Sequence, residues 1–325
     1  MNLFSITSVL LIIYLSTLST GFNINAQTVS EDKSHCQKIE VVGLNDTTNY
    51  VILRDKLIYL NGWDTLNQPN FWRKLMQTPP DSGYINIGST RQILAKWHID
   101  DWENLPDEKK QAYRDSIKQY YNLPETEHIY FTSGKSDFYR FENVLEAIHK
   151  AIPIFEQQGV DPFYAEAILL IESPNKLQKS PVGADGHFQL MKKVAIQMGL
   201  KVNKQVDERK DFDKSAMAAA KLIKTVCIPY TDTILKDLNI PRDTTALWYR
   251  LLVLHVYHAG AYNVRQAAKD IKNPQPSLEL IKQLWTIEKG NFRNASQNYS
   301  QLILASLMEF EKMLYEKAKY IYVCE

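Results

Sequence analysis

The sequence predicts a mainly α fold, α+β overall, in which a helical region follows a small α/β N-terminal region. Three observations carry this. Apolar residues at helical spacing dominate from Phe138 onward, β-branched alternation is confined to short runs before residue 133, and helix start and stop signals recur through the second half. A chain of 325 residues is long enough for a real core and for two units. Its net charge of +1, with 45% hydrophobic and 23% charged residues, is globular and too balanced to point to nucleic acid or an anionic membrane as partner.

Taken in order, Leu3–Phe22 is the only long uncharged apolar run. Its Ser and Thr content and the exit Asn25-Ala26-Gln27 predict that residues 1–26 are a cleaved signal peptide rather than a retained N-terminal anchor, so the bulk of the chain is expected to be exported. No Cys follows the run directly, so a lipoprotein anchor is not expected. Cys36, Cys227 and Cys324 allow at most one intramolecular bridge, and both one bridge and three buried thiols remain open. None forms a C-x-x-C pair, and no metal or cofactor is expected.

Residues 27–137 read as an N-terminal α/β region without acids, His or Cys at catalytic spacing. Lys38–Gly43 and Tyr50–Leu60 alternate around Asn45-Asp46 and predict a hairpin. Phe71–Met76 is amphipathic and is ended by the turn at 79–83. Residues 89–122 predict two helices, STRQILAKWHI and DEKKQAYRDSIKQYY, and His128–Thr132 a lone strand. Trp63, Trp72, Trp97 and Trp102 are read as core before they are read as a sugar groove.

Residues 138–325 form the helical region. Phe141, Val144, Leu145, Ile148 and Ile152 share one helix face before Pro153, where the helix kinks or restarts. Asp161 and Pro162 open the next helix as N-cap and first residue. Asp213 is read as the cap of SAMAAAKLIKTV, residues 228–243 as a mixed insertion, and ALWYRLLVLHVYHAG as a central helix stopped by Gly260. Two more helices are expected between Pro276 and Tyr320.

The helix opened by Asp161 carries one acid at its end, Glu172, with Ile168, Leu169, Ala165 and Tyr164 on the turns before it. Apolar neighbours and the negative end of the helix dipole both disfavour a carboxylate, so its pKa is expected to be raised toward that of a general acid. On the helix alone, an ordinary Glu paired with a Lys or Arg is the simpler reading. The loop that follows, Ser180 to Gln189, changes the balance. Gly183 and Gly186 let backbone approach a ligand, and Gln189 offers an amide to sugar hydroxyl or acetamido groups.

Glu172-Ser173 followed by S-x-x-G-A-x-G-x-x-Q resembles the lytic transglycosylases of the soluble and membrane-bound D type, the SLT-type domains of the lysozyme-like superfamily. Further motifs agree in order. Residues 207–211 are similar to the family's D-x-R-x-D segment, Tyr257-His258-Ala259-Gly260 to its Y-N-A-G, and Asn298-Tyr299 through Ala305 to its closing Tyr and leucine-rich helix. The resemblance spans about residues 140–310. It implies a lysozyme-like helical catalytic domain and a bacterial, periplasmic enzyme of the cell envelope that cleaves peptidoglycan glycan strands between N-acetylmuramic acid (MurNAc) and N-acetylglucosamine (GlcNAc), leaving a 1,6-anhydro-muramyl end. It implies Glu172 as acid and then base, Ser173 ordering the helix end, Tyr257 near the carboxylate, Gln189 on the glycan, and His258, Gly183 and Gly186 as substrate-binding or supporting positions. Cell-wall enzymes are candidate partners through the N-terminal region.

The chain departs from the family pattern at Pro174-Asn175, at His187-Phe188, at His258 in place of Asn, and at Tyr262. A cationic His258 near Glu172 would lower its pKa. Two alternatives stand beside the transglycosylase. One is a hydrolytic muramidase using Asp185, Asp207 or Asp211 to activate water. The other is a catalytically impaired peptidoglycan-binding protein.

Overall fold

Strand β1 (Cys36–Val42) pairs antiparallel with β2 (Asn49–Asp55) along its length, Cys36 opposite Asp55 and Val42 opposite Asn49. The second strand was expected to run to Leu60. It stops at Asp55 because that carboxylate accepts the Leu57 N–H at 2.9 Å and opens a helical turn, α1 (Leu57–Leu60). The computed structural model describes residues 36–43, 48–174 and 179–324, all in the unit Ser34–Glu325. The expected signal peptide, the Asn45-Asp46 turn and Asn175 lie outside the described residues. No described helix is long and apolar enough to cross a membrane.

Helix α2 (Asn67–Gln77) buries Phe71, Trp72, Leu75 and Met76, the amphipathic face legible in sequence. After it comes a second antiparallel sheet with β3 (Ser82–Ile87) between β4 (Ile93–His98) and β5 (Ile129–Ser133). The helix expected over 89–99 is therefore a strand at 93–98, and the strand near residue 130 is not alone. Tertiary pairing overrides local preference here. β3 is buried at five of its six residues, so its backbone groups must be met by a strand on each side. Helices α3 (Ile99–Glu103) and α4 (Asp107–Tyr120) follow, and a small satellite core of Ile85, Ile87, Trp102, Ile117 and Ile129 joins α4 to the sheet. Trp63, Trp72 and Trp102 are buried, and Trp97 packs edge-on against Trp102, so the tryptophans are core.

The remainder is helical. α5 (Leu145–Gln157) runs through Pro153, whose ring faces solvent. α6 (Phe163–Glu172) starts where Asp161 accepts the Phe163 N–H at 2.9 Å. A two-stranded piece, β6 (Ala184–Asp185) with β7 (Leu190–Met191), leads to α7 (Lys192–Gln197) and α8 (Phe212–Leu222). The cap of α8 is Asp211, which accepts the Lys214 N–H, not Asp213 two residues on. The stretch read as a mixed insertion is instead a continuation. α8 passes through a π turn, Ile223–Cys227, into α9 (Ile228–Asp237), and the widened turn sits just before Pro229, which lacks the donor a regular turn would need. Then come α10 (Leu247–Ala259), α11 (Ala261–Ala268), α12 (Leu278–Leu284) and α13 (Asn294–Lys317).

A last strand, β8 (Tyr320–Val323), was not anticipated; it pairs with β1, so both ends of the described chain share one sheet. The fold is mainly α with an α+β layout. One continuous core runs from Ile39 and Val41 through α2 and α5 to α6, α10 and α13. Helix α6 is at its centre: every residue from Phe163 to Ile171 is buried, Glu166 included. A helix enclosed all round can present a side chain to solvent only at its end, and there stands Glu172, partly exposed.

Candidate active site

Helix α6 ends at Glu172 because Ser173 leaves the helical region (φ −144°, ψ 49°) ahead of Pro174. The Ser173 hydroxyl donates to the His187 carbonyl at 3.0 Å and so ties the helix end to the following loop. Pro174 is buried. The carboxyl tip of Glu172 keeps partial contact with solvent, yet packed protein surrounds it. That enclosure raises its pKa to about 7, against a smaller lowering by the Tyr299 hydroxyl, which donates to Oε1 at 3.0 Å. Tyr139, Tyr257 and Tyr299 all feel the Glu172 charge, and burial raises each phenol. The acid thus sits among three neutral phenols, with no Lys or Arg partner among the described residues.

The loop on the far side of Glu172 is held from behind. Gly183 (φ +94°) and Gly186 (φ +80°) adopt conformations that L side chains rarely take, and a Cβ on Gly186 would lie 1.9 Å from the Arg209 carbonyl oxygen. Arg209, buried, donates from one terminal nitrogen to the carbonyls of Gly183 (2.8 Å) and Leu190 (3.0 Å). Its Nε and other terminal nitrogen hold Asp207 at 2.9 and 2.7 Å. Gln189 takes the left-handed conformation (φ +45°) and donates its amide to the Gly186 carbonyl at 2.9 Å. Tyr257 closes the loop's end by donating to the Phe188 carbonyl at 2.6 Å. Phe188, where an aliphatic residue was expected from the motif, is sealed against Phe155 and Phe212.

His258 follows Tyr257 on α10 and stacks on Tyr299, ring centroids 4.1 Å apart and 19° from parallel. The protein packed around the ring lowers the imidazole's pKa toward about 4. Its outer edge is open to water, which weakens that push without reversing it, so the ring is neutral at pH 7. The pKa lowering of Glu172 that a cationic His258 would cause does not arise. His255, one turn earlier, is sealed in the core with Nε2 on the Ser300 hydroxyl at 2.8 Å.

The structure therefore draws together Glu172, Ser173, Tyr257, His258, Gly183, Gly186 and Gln189 through Tyr299, Arg209 and the 183–189 loop. Tyr299, Tyr139 and the buttress Arg209 were not singled out as site residues from sequence. For Arg209 and Tyr299 the signal was present, in the 207–211 and 298–305 segments, but spacing alone could not say which atoms they hold. Asp185, Asp207 and Asp211, the candidates for activating water, all have structural partners. Asp185 accepts the Gly186 N–H and lies 3.8 Å from Arg209, Asp207 is held by Arg209, and Asp211 caps α8. Among the described residues no three His, Cys, Asp or Glu side chains gather as a metal site.

A carboxyl at a helix end with its pKa raised to about 7, and a phenol holding one oxygen, can give its proton to a bound oxygen and accept one back. Comparison with known families fits that chemistry. The family model of the transglycosylase SLT domain matches residues 151–279, a stretch that holds Glu172, the 183–189 loop, Arg209, Tyr257 and His258. No curated protein matches the chain.

Proposed function

We propose that this chain, which carries the transglycosylase SLT domain of lytic transglycosylases acting on peptidoglycan, cleaves the MurNAc–GlcNAc β-1,4 bond and leaves a 1,6-anhydro-muramyl end. The carrying observation is Glu172 itself, a carboxyl with pKa raised to about 7, hydrogen-bonded to Tyr299 and with no basic partner among the described residues. Protonated Glu172 gives its proton to the glycosidic oxygen as the muramyl C1–O bond breaks and positive charge develops at C1. The resulting carboxylate then takes the proton of the muramyl C6 hydroxyl while O6 bonds to C1, which restores the acid. Because the attacking oxygen belongs to the same sugar, no water and no second carboxylate are needed.

In this reading Tyr299 orients Glu172, and His258 orients Tyr299 through its stack. Ser173 and Tyr257 fix the loop to the helix end, and Gln189, with Gly183 and Gly186 beside it, meets the glycan. Residues 138–325 hold the chemistry, and residues 27–137 are a supporting region and a candidate docking surface for cell-wall enzymes. The exported, periplasmic placement expected from residues 1–26 agrees with a cell-wall substrate. A hydrolytic muramidase on this fold would need a free second carboxylate, and the engagement of Asp185, Asp207 and Asp211 speaks against it. Mass spectrometry of digested peptidoglycan decides: 1,6-anhydro ends support the proposal, and reducing muramyl ends overturn it. Loss of cleavage with retained binding in Glu172→Gln separates this enzyme from a pure binding protein.

A further inference from the structure

A pocket of about 290 Å³ lies away from the acid, between the sheet of β3, β4 and β5 and the start of α13. At its wall is Arg91, which is only 5% exposed and adopts φ +56°. Among the described residues it has no carboxylate within ion-pair distance. Its terminal nitrogens donate only to amide oxygens, those of Asn86 (3.0 Å), Asn294 (3.1 Å) and Asn298 (2.7 Å), and its buried Nε has no hydrogen-bond partner. Tyr130, Trp72 and Phe71 flank the guanidinium. Burial lowers the stability of this cation, Glu127 acts on it only from beyond ion-pair distance, and an anion in the adjoining pocket would relieve the remaining cost. The first turn of α13, a 24-residue helix without a side-chain cap, also faces this pocket through Asn294 and Gln297 and adds its positive end.

The same pocket carries the opposite charge at Glu127 and Glu288. Glu127 is occupied by the N–H and hydroxyl of Ser89 and by the His128 N–H, and Glu288 lies 3.6 Å from Arg293. A simple anion would meet these carboxylates, whereas a group bearing both charges could pair with Arg91 and with the acids.

We propose that this pocket binds a zwitterionic amino-acid group, its carboxylate toward Arg91 and the start of α13 and its ammonium toward Glu127 and Glu288. Resting on the reading of the chain as a peptidoglycan enzyme, the ligand is the free end of a peptide stem carried by the glycan. The link to the acid is short in sequence, since Asn298 holds Arg91 and the next residue, Tyr299, holds Glu172.

The test titrates the full chain calorimetrically with a free, N-terminally acetylated stem peptide ending in a diamino acid, and with the same peptide acetylated also on the diamino acid's side-chain amine or amidated at its C-terminus. Each block is expected to weaken binding at least tenfold. Arg91→Gln is expected to do the same. Because Arg91 is buried in a network, Thr286→Trp, at an exposed position on the pocket rim, serves as the folding-safe variant and is also expected to weaken binding tenfold. Equal binding of free and blocked peptides, or undiminished binding by Thr286→Trp, overturns the site. Cleavage assays then compare stemmed and stem-free glycan strands. Wild type should prefer the stemmed strand and Thr286→Trp should lose that preference. Cleavage of both strands without preference in wild type sinks the pocket and leaves the enzyme reading intact, whereas peptide binding without any cleavage sinks the enzyme reading alone.

Discussion

Tyr299 donates a 3.0 Å hydrogen bond to Glu172 from a helix 127 residues further along the chain. The bond stabilises the charged form of the acid, so it lowers a pKa that enclosure has raised. Removing the hydroxyl in Tyr299→Phe should leave Glu172 protonated to higher pH. A hydrogen bond to a charged group contributes roughly 1.5 kcal/mol, about one pKa unit. The alkaline limb of kcat/KM on peptidoglycan, expected near pH 7 in the wild type, should move up by about that much, while kcat falls because the acid is less well oriented. A limb that stays in place would mean that Glu172 is not the group titrating.

The raised pKa also has a sign in stability. Glu172 ionises near pH 4.5 when unfolded and near 7 when folded, so between these values the folded state holds the extra proton. Stability therefore falls as pH rises through that window, and the cost is fully present above pH 7. Glu172→Gln carries no such cost. It should be more stable than the wild type at pH 8 by on the order of 1–2 kcal/mol, allowing for the partly exposed tip, and should differ little at pH 4. Glu166, raised by burial to about 8, bends the curve of both proteins equally and drops out of the difference. Thermal melts at the two pH values measure it.

The enclosed helices α6 and α10 were legible in sequence because their apolar pattern is local, whereas α9, which continues α8 through a π turn, was read as an insertion and the α8 cap was placed two residues late. The candidate site was legible as far as its motifs reached: Glu172 at a helix end, two glycines in a loop, Tyr257 before a helix stop. What sequence could not give was pairing over distance. Ile93–His98 looked helical because β3, which demands a partner there, is specified elsewhere, and β8 has a meaning only against β1. The hold of Arg209 on the Gly183 carbonyl and of Tyr299 on the acid are likewise facts of folding, not of spacing.

The two loop glycines should answer differently to alanine. Both have positive φ, which costs an L residue roughly 1–2 kcal/mol. At Gly183 a Cβ meets nothing within 4 Å, so Gly183→Ala should cost about that and no more. At Gly186 the same atom would press on the Arg209 backbone, and relief requires the Arg209 segment to move. Gly186→Ala should therefore be at least about 2 kcal/mol worse than Gly183→Ala in denaturant unfolding, and its cleavage rate should fall with it. Equal costs would mean that the loop is not clamped to Arg209.

Asp55 on β2 and Arg250 on α10 meet at 2.6 Å with both side chains almost wholly buried, which makes the N-terminal sheet part of the helical region's interior. Breaking such a pair strands a buried charge, so Asp55→Asn should destabilise the chain by about 3 kcal/mol, with Asp161, 3.8 Å from Arg250, as the only other carboxylate near it among the described residues. Replacing both partners, Asp55→Leu with Arg250→Met, should cost less than the single change, because no buried charge is left unpaired. The same dependence extends to the whole region. A fragment of residues 138–325 loses the β1 partner of β8 and the Leu53 N–H bound to buried Glu166, and it exposes the α13 face that covers α2. Such a fragment should fail to give a cooperative melt although it contains every residue assigned to the chemistry, and a cooperative, active fragment would show that the N-terminal sheet is an accessory and not a part of the core.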